Sequence, residues 1–276
     1  MKTVLITGSS SGIGYATAKY FLGKDWNVVA TMRTPVADIE LSQISNLFVT
    51  PMDVQDPGSI DQAIQAGIAQ FGSIDVLINN AGYGQYGLFE AIPREKIQQQ
   101  FDVNVFGVMD VTRAILPHFR KNKSGVIINV SSGAGIFTLP MISIYCASKF
   151  AIEGFSESLA YELASQNIIV KLIEPHGGVT STRFNERAAQ DNAKDDSLVD
   201  YEDFAIQTAD AFADMSAVRT INSDDVAKVI FQAATDNTNR LRYLVGNDTR
   251  GFIKARQELS DDDYIEFMRS KFRLKS

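Results

Sequence analysis

The chain has 276 residues, of which 45% are apolar and 21% are charged, and its formal net charge at pH 7 is −7. That length suits one large α/β domain or two small ones, whose core is buried without disulfides or metals, so no metal site is expected. Without a long basic run, an apolar run of about 18 residues or a second cysteine, the protein is expected to be cytoplasmic and to bind neither nucleic acid nor membrane.

Short apolar, β-branched runs alternate with helical patterns along most of the chain. Strands are predicted at 4–6, 27–31, 47–50, 75–78, 126–130, 168–173 and 242–245, helices at 12–22, 59–71 and 145–165, and one or two helices over 95–121. This alternation predicts a Rossmann-like, doubly wound parallel α/β sheet of seven strands with helices on both faces, because parallel strands need crossover helices. The strands lack polar alternation, which fits burial on both faces.

The pattern changes after Pro175. Residues 181–221 are polar and irregular, and we predict a small substrate-binding lobe there. Ser223, which two acids follow, is predicted to cap the next helix. A charged helical extension over 247–276 ends the chain. No repeat, low-complexity tract or linker divides the sequence, so residues 1–276 are expected to form a single domain.

The first predicted strand runs into a glycine-rich turn, Thr7-Gly8-Ser9-Ser10-Ser11-Gly12-Ile13-Gly14. Glycine allows the backbone to turn sharply and to approach a pyrophosphate, and the helix that follows offers free N–H groups and its positive end. The spacing differs from the common G-x-G-x-x-G, and a tight turn without a ligand is the alternative. Because the turn follows the first strand of a βαβ unit, we predict dinucleotide binding by Gly8, Ser10, Ser11, Gly12, Ile13 and Gly14.

The end of the second strand distinguishes NAD from NADP. A carboxylate there holds the ribose 2′-hydroxyl of NAD, whereas an arginine accepts the 2′-phosphate of NADP. The segment reads Ala30-Thr31-Met32-Arg33 and contains no acid. The sequence therefore favours NADP(H) over NAD(H), with Arg33 as the phosphate ligand. A solvated surface arginine is the alternative.

A tyrosine and a lysine one helical turn apart can deliver a proton to a carbonyl oxygen, because the ammonium pulls the pKa of the phenol, about 10, toward neutrality. Three pairs have that spacing: Tyr15/Lys19, Tyr20/Lys24 and Tyr145/Lys149. The first two lie in the helix after the glycine turn and are expected at the surface. The third follows the strand at 126–130, which delivers Ser131 and Ser132 to the edge where ligands bind in such sheets. Context, rather than the motif, selects Tyr145.

Together these motifs resemble the short-chain dehydrogenase/reductase family over residues 1–246. The matching residues are Gly8, Gly12, Gly14, Asp53, Asn79, Asn80, Ala81, Gly82, Asn104, Ser132, Tyr145 and Lys149. In that family the active-site serine lies thirteen residues before the tyrosine, which here is Ser132. The resemblance implies an oxidoreductase that moves a hydride between a nicotinamide cofactor and a carbonyl or hydroxyl carbon.

The resemblance also implies a role for each residue. Ser132 polarises the substrate carbonyl, and Tyr145 is the general acid or base. Lys149 lowers the pKa of the tyrosine and holds the nicotinamide ribose. Asn104 kinks its helix and binds a water that relays protons to Lys149. Adenine contacts come from Asp53 and Val54, and the rest of the cofactor is lined by Asn80, Ala81, Gly82, Pro175 and Val179.

One segment departs from the family pattern. Members carry Pro-Gly after the sixth strand, followed shortly by a threonine that holds the nicotinamide carboxamide. This chain is one or two residues longer there and reads Glu174-Pro175-His176-Gly177-Gly178-Val179-Thr180-Ser181-Thr182. Thr180, Ser181 and Thr182 are alternatives for that role. His176 is expected to be a loop histidine that faces solvent, with contact to the substrate as the alternative.

An apolar lining is expected for the substrate pocket, which suggests an apolar or bulky carbonyl or alcohol substrate, although these residues could instead simply pack over the sheet. The candidates are Ile136, Phe137, Leu139, Met141, Ile142 and Phe184, with Tyr83, Gln85 and Tyr86 from a glycine-rich loop. The segments 30–33 and 242–246 are similar to the 17-beta-hydroxysteroid dehydrogenase-like subgroup. The resemblance implies a homodimer or homotetramer. Two other functions stay open: a dinucleotide-binding regulatory protein without catalysis, and an epimerase or dehydratase that recycles its cofactor.

Overall fold

The buried, β-branched runs of the sequence form one parallel sheet in the computed structural model, which describes residues 1–35, 44–176, 178–180, 195, 197–216, 221–248 and 250–272. The strands are β1 (Thr3–Ile6), β2 (Asn27–Met32), β3 (Leu47–Pro51), β4 (Val76–Asn79), β5 (Gly125–Val130), β6 (Ile168–Pro175), β7 (Val179–Thr180), β8 (Ile221–Asn222) and β9 (Arg242–Val245). The main sheet has seven parallel strands in the order β3-β2-β1-β4-β5-β6-β9, and β7 pairs with β8 separately. The predicted Rossmann-like sheet in a single domain is confirmed.

Helices cover both faces of this sheet. They are α1 (Gly12–Leu22), α2 (Pro57–Phe71), α3 (Arg94–Phe101), α4 (Gly107–Asn122), α5 (Ser143–Ala164), α6 (Glu202–Ser216), α7 (Ser223–Thr235), α8 (Phe252–Glu258) and α9 (Asp261–Lys271). Val4 and Ile6 of β1 pack with α1 and α7, whereas Leu5 packs with α2, α4 and α5. All three side chains are fully buried, and each stabilises the fold by about 1.5–3 kcal/mol. Burial on both faces explains why the strands show no polar alternation.

The region 95–121, where one or two helices are predicted, contains two α-helices. Helix α3 passes into a π-helical segment, Asp102–Phe106, before α4 begins. A π-helical turn adds a residue to the helical repeat and is frequent at functional sites. Asn104 lies in this segment and is 1% exposed. The helix irregularity that the family resemblance implies at Asn104 is therefore present.

The expectation of an irregular lobe over 181–221 is wrong for the part of it that the structure describes. Helix α6 occupies fifteen of these residues, and its partly buried Phe204, Phe212 and Met215 recur at helical spacing. Polar residues between them obscure the pattern when the sequence is scanned for apolar runs. The spacing of these three residues could therefore have predicted the helix.

Helix α7 begins one residue earlier than predicted. Its N-cap is Asn222, whose side chain accepts hydrogen bonds from the N–H groups of Asp224 (2.9 Å) and Asp225 (3.0 Å). The Asp225 carboxylate accepts in return from the N–H of Asn222 at 3.1 Å, which completes a capping box. Ser223 is the first helical residue rather than the cap.

The charged C-terminal extension folds as two helices. Ser260 caps α9 by accepting the N–H of Asp263 at 3.2 Å. The apolar sides of α8 and α9 pack against Phe137, in the loop that follows β5, through Phe252, Tyr264, Met268 and Phe272. The extension is therefore part of the wall beside the carboxyl ends of the strands. Within the described ranges, the helices are all too short or too polar to cross a membrane.

Candidate active site

The turn between β1 and α1 is shaped by two glycines with positive φ, Gly8 (70°) and Gly12 (59°). Residues with a Cβ rarely adopt this conformation. Ser11 is the N-cap of α1, but its side chain caps no N–H group, and the first helical turn holds no acid. The positive end of the helix is therefore left for an anion.

Gly14 packs against this turn and does not line a cleft. A Cβ at Gly14 would lie 2.3 Å from the carbonyl oxygen of Gly8 and 2.5 Å from Nδ2 of Asn80. The Asn80 amide donates to the carbonyls of Thr7 (2.9 Å) and Gly8 (3.1 Å), which fixes the turn from the other side. The prediction that Gly14 contacts a dinucleotide is therefore corrected: its place in the structure is to let α1 approach the turn.

A cleft of about 870 Å³ runs along the carboxyl ends of the strands. Ligands bind at this edge in open parallel sheets, because the loops that follow the strands meet there. Apart from Gly14 and Asn104, the predicted site residues all line it: Gly8, Ser10, Ser11, Gly12, Ile13, Arg33, Asp53, Val54, Asn80, Ala81, Gly82, Ser132, Tyr145, Lys149, Pro175 and Val179. The fold therefore brings together residues that are up to 171 positions apart, from Gly8 to Val179.

Ser132, Tyr145 and Lys149 meet on one wall of the cleft. Ser132 follows β5, and its hydroxyl forms a hydrogen bond with the phenol of Tyr145 in the first turn of α5. Lys149 lies one turn further along α5, and its Nζ donates to the carbonyl of Val130 at 2.9 Å. Tyr145 and Lys149 are each 8% exposed. The end of one strand and the start of one helix thus place all three groups.

Burial governs the ionisation of both titratable groups. It raises the pKa of Tyr145 above its usual value, and the hydrogen bond from Ser132 offsets this only in part. Burial also lowers the pKa of Lys149 to about 8, although the carboxylate of Glu153 opposes the change. In this structure the phenol of Tyr145 is therefore held in its protonated form, and the lowering of its pKa by Lys149 stays a prediction.

The three Tyr-x-x-x-Lys pairs have nearly the same internal geometry. The ammonium lies 5.7 Å from the ring centroid in Tyr145/Lys149, 5.7 Å in Tyr15/Lys19 and 5.6 Å in Tyr20/Lys24. The distance therefore does not distinguish the three pairs, although Lys24 lies beyond the end of α1 at Leu22. The pairs differ in surroundings, since Lys19 and Lys24 are exposed whereas Tyr145 and Lys149 are buried at the cleft. Position in the fold, and not the motif, distinguishes the third pair.

Asn104 stands behind the cleft. Its Oδ1 accepts the N–H of Tyr83 at 3.1 Å, while its Nδ2 donates to the Tyr83 carbonyl at 2.9 Å and to the Ser148 hydroxyl at 3.3 Å. These bonds tie the π-helical segment to the loop after β4 and to α5. Asn104 therefore braces the cleft wall between Tyr83 and the helix of Tyr145.

The loop after β6 departs from expectation at His176. This residue is 7% exposed and lines the cleft, so the expectation of a solvent-facing histidine is wrong. Its backbone N–H pairs with the Val245 carbonyl at 3.0 Å, which extends the β6–β9 ladder and draws the side chain inward. Burial lowers the pKa of its imidazole, which nearby backbone carbonyls and Asp248 oppose.

The carboxamide-binding alternatives are only partly within the described residues. The Thr180 hydroxyl donates to the carbonyl of Ile221 at 3.1 Å, across the β7–β8 pair, and Thr180 does not line the cleft. Ser181, Thr182 and the substrate-pocket candidate Phe184 lie outside the described residues. The geometry therefore speaks against Thr180.

Five of the eight described candidates for the substrate pocket line the cleft. Phe137, Leu139, Ile142, Tyr83 and Tyr86 line the cleft, whereas Ile136, Met141 and Gln85 do not. Gln85 is fully buried, and its N–H donates to Oε1 of Gln100 at 2.7 Å. Sequence reasoning missed the cleft residues Lys96, Gln99, Val103, Phe212, Met215, Arg250 and Phe252. Helical spacing could have found the α6 members, but no local pattern pointed to the others.

A metal ion has no evident place in the described part of the chain, where no group of three or more histidine, cysteine, aspartate or glutamate side chains converges. The single cysteine, Cys146, is 3% exposed, and burial raises the pKa of its thiol.

Comparison with known proteins agrees with this site. Residues 2–193 match the short chain dehydrogenase family model. The chain is 38% identical over 245 residues to an uncharacterized oxidoreductase of Schizosaccharomyces pombe, covering 88% of this chain and 100% of the relative. It is 39% identical over 200 residues to a 3-ketodihydrosphingosine reductase of Bacteroides thetaiotaomicron, covering 71% and 72%. The structure of ElxO with NADP bound has a TM-score of 0.71 at 25% identity, covering 88% and 97%. The chain therefore belongs to the short-chain dehydrogenase/reductase family of oxidoreductases.

Proposed function

We propose that this oxidoreductase interconverts a ketone or aldehyde and the corresponding alcohol with NADP(H), and that its substrate is apolar or bulky. The observation that carries the proposal is the hydrogen bond between Ser132 and Tyr145 on the cleft wall, with Lys149 one helical turn beyond. Two adjacent hydroxyl groups of this kind can hold one carbonyl oxygen, one as a hydrogen-bond donor and one as a proton donor.

The residues along the cleft fit a nicotinamide dinucleotide. The bare backbone at Gly8 and Gly12, together with the open end of α1, would hold the pyrophosphate. Asp53 and its neighbour Val54 would contact the adenine, and Lys149 would hold the nicotinamide ribose. The cofactor supplies the hydride when bound. The remaining contacts are assigned to Ser10, Ser11, Ile13, Asn80, Ala81, Gly82, Pro175 and Val179.

The protein residues would handle the proton. In reduction, Ser132 donates a hydrogen bond to the carbonyl oxygen, and Tyr145 gives its proton to the same oxygen. The charge of Lys149 then stabilises the phenolate, and Asn104 is assigned the water that returns protons to Lys149. Since burial keeps Tyr145 protonated at neutral pH, reduction starts from the resting form, whereas oxidation first requires the phenol to ionise.

An apolar substrate fits the wall of the cleft that faces away from the glycine turn. Phe137, Leu139 and Ile142 come from the loop after β5, and they are joined there by Phe212, Met215 and Phe252 of α6 and α8. We assign α6 and the C-terminal helices to the substrate-binding lobe on this basis. The similarity to a reductase named for 3-ketodihydrosphingosine, a lipid ketone, supports the same substrate class.

The direct test is a panel of carbonyl compounds followed by loss of NADPH absorbance. The panel should contain lipid ketones, steroid ketones and short polar ketones, with each compound also offered as its alcohol and NADP⁺. We expect turnover of an apolar ketone with net NADPH consumption. Cofactor binding without turnover of any compound would favour a regulatory protein. Conversion without net NADPH consumption would favour an epimerase or dehydratase.

NADP(H) is favoured because Arg33 follows β2, lines the cleft and is exposed to receive a phosphate. Replacing Arg33 with aspartate should therefore weaken the binding of NADPH at least roughly tenfold more than the binding of NADH. The reason is that the attraction between arginine and phosphate becomes a repulsion. Dissociation constants from cofactor fluorescence titrations measure this. Arg94→Asp is the matched control, because Arg94 is exposed outside the cleft and the change in net charge is the same. Equal weakening of both cofactors by Arg33→Asp would rule out this role.

A further inference from the structure

A buried charge cluster continues the catalytic face of α5. Tyr145, Lys149 and Glu153 recur at intervals of four and share one side of the helix. Glu153 is 6% exposed, and its Oε2 accepts a hydrogen bond at 3.0 Å from Nε of Arg242, on β9. The face that presents the phenol and the ammonium to the cleft therefore leads directly to a buried carboxylate.

A second buried carboxyl, Glu174 near the end of β6, joins the same cluster. It is 1% exposed, and its Oε1 lies 3.4 Å from the same Nε of Arg242. The Oε1 atoms of Glu153 and Glu174 both lack a hydrogen-bond donor among the described residues. One proton held between these two groups, named here the carboxyl pair, would give each orphaned acceptor a partner.

The shared proton is assigned to Glu174. Burial and the charge of Glu153 raise the pKa of Glu174, and the two side chains are close enough to form a hydrogen bond. With this proton, Glu174 would donate to Glu153 and leave the negative charge of the pair on the helix of Lys149.

The carboxyl pair also touches the loop that carries Ser132. A Cβ added at Gly135 would lie 2.9 Å from Cγ of Glu153, 3.3 Å from its Oε1 and 2.9 Å from Oγ of Ser131. No space separates the loop from the cluster. Glu153 is thus packed against Gly135 of that loop on one side and bound by Arg242 on the other.

We propose that Glu153 is a positioning residue for the reaction: its buried carboxylate, held by Arg242 one helical turn from Lys149, stabilises the ammonium of that lysine. The proposal deepens and rests on the proposed function, in which that charge stabilises the phenolate of Tyr145. Glu153 acts through Lys149 alone, because Glu153 itself does not line the cleft.

The other charged groups that face the pair cannot take over this role. From α5 they are Lys149 itself and Glu157, from β9 Arg242, and from the residues just before β9 Arg240. Glu157 binds Arg242 at 2.6 Å, but its side chain is 43% exposed and lies two turns from Lys149. Glu153 is the acid in this group that is both buried and one turn from the ammonium.

The test is the titration of Lys149 in ¹³C-lysine-labelled protein, followed by NMR of the ε-carbon, whose signal is assigned by its loss in Lys149→Arg. Glu153→Gln should move the midpoint of Lys149 down by about one pH unit. Glu174→Gln copies the protonated acid and should leave the midpoint in place, as should the exposed control Glu157→Gln. An unmoved midpoint in Glu153→Gln, or an equal shift in Glu157→Gln, would overturn the proposal.

Two further variants keep the test decisive. Glu153→Asp keeps the charge and should restore the wild-type midpoint. If Glu153→Gln does not fold, Glu153→Ser should lower the Lys149 midpoint in the same direction, because it also removes the carboxylate. A wild-type midpoint in folded Glu153→Ser would contradict the proposal.

Kinetics separate this inference from the proposed function. With an accepted ketone, Glu153→Gln should lower kcat at pH 7.5 roughly threefold and move the alkaline limb of the pH profile downward, whereas Glu174→Gln should not. A shifted Lys149 titration in an enzyme that reduces no carbonyl would sink the proposed function and leave the electrostatic coupling intact. A shifted titration with an unchanged pH profile would sink the positioning role.

Discussion

Replacing Tyr145 with phenylalanine should lower kcat for carbonyl reduction at least about 100-fold, because the variant has no phenolic proton to give to the substrate oxygen. The phenyl ring keeps its packing against Ala134, Ile142 and Cys146, so the fold is expected to survive. NADPH affinity should stay close to that of the wild type, since the glycine turn is untouched. Steady-state rates with the best ketone and a fluorescence titration of NADPH measure the two effects.

The chain supplies an unusually close control for this substitution. Tyr20 has a lysine at the same spacing, with its ammonium 5.6 Å from the ring centroid, against 5.7 Å for Tyr145. Tyr20 lies on α1 beside Phe231 and away from the cleft. Tyr20→Phe should therefore leave kcat unchanged. Near wild-type turnover by Tyr145→Phe, or equal losses in both variants, would refute the assignment of Tyr145 as proton donor.

The sequence predicted those parts of the site that depend on local geometry. The glycines at positions 8 and 12 predict a sharp backbone turn, and φ is positive at both Gly8 and Gly12. Ser132 lies thirteen residues before Tyr145. The loop between them runs from the end of β5 to the start of α5, which brings the two side chains together. Continuous apolar strands predicted a doubly covered sheet, which the two core clusters confirm.

The parts that failed depend on what surrounds a residue after folding. His176 is polar and follows Pro175, so it looks like a loop residue, but its N–H joins the β6–β9 ladder and the ring is buried. The burial of Tyr145, which raises the pKa of its phenol, likewise does not show in the sequence, which shows only the lysine four residues further on. Arg250 and Phe252 reach the cleft only because the C-terminal helices fold back beside the loop of Phe137.

We expect the stability of the fold to depend strongly on the ion pair of a buried lysine in the main sheet. Lys171 of β6 has a 1% exposed side chain, and its Nζ donates to the carbonyl of Ala233 (2.7 Å), the hydroxyl of Tyr243 (3.1 Å) and the carboxylate of Asp236. The Tyr243 hydroxyl in turn donates to Asp236. Among the described residues, Asp236 is the acid paired with this ammonium. Removing its charge would leave a cation buried without an anion.

Asp236→Asn should therefore lower the free energy of unfolding by about 3 kcal/mol at pH 7, measured by urea denaturation. Asp110→Asn is the control. Asp110 pairs at 3.8 Å with Arg113, whose side chain is 82% exposed, so this change should lower the free energy of unfolding by less than about 0.5 kcal/mol. Similar losses in both variants would contradict the argument.

The pH dependence of that loss gives an independent check. Burial would raise the pKa of Asp236, but the hydrogen bonds from Lys171, Tyr243 and Thr238 prevail and hold it well below its usual range. A carboxyl whose pKa is depressed by folding contributes stability at neutral pH, and this contribution fades as the pH falls below the unfolded value of about 3.9. The stability difference between wild type and Asp236→Asn should therefore be constant from pH 7 to 5 and should shrink below about pH 4. A difference that grew on acidification would mean that Asp236 is not held ionised by Lys171.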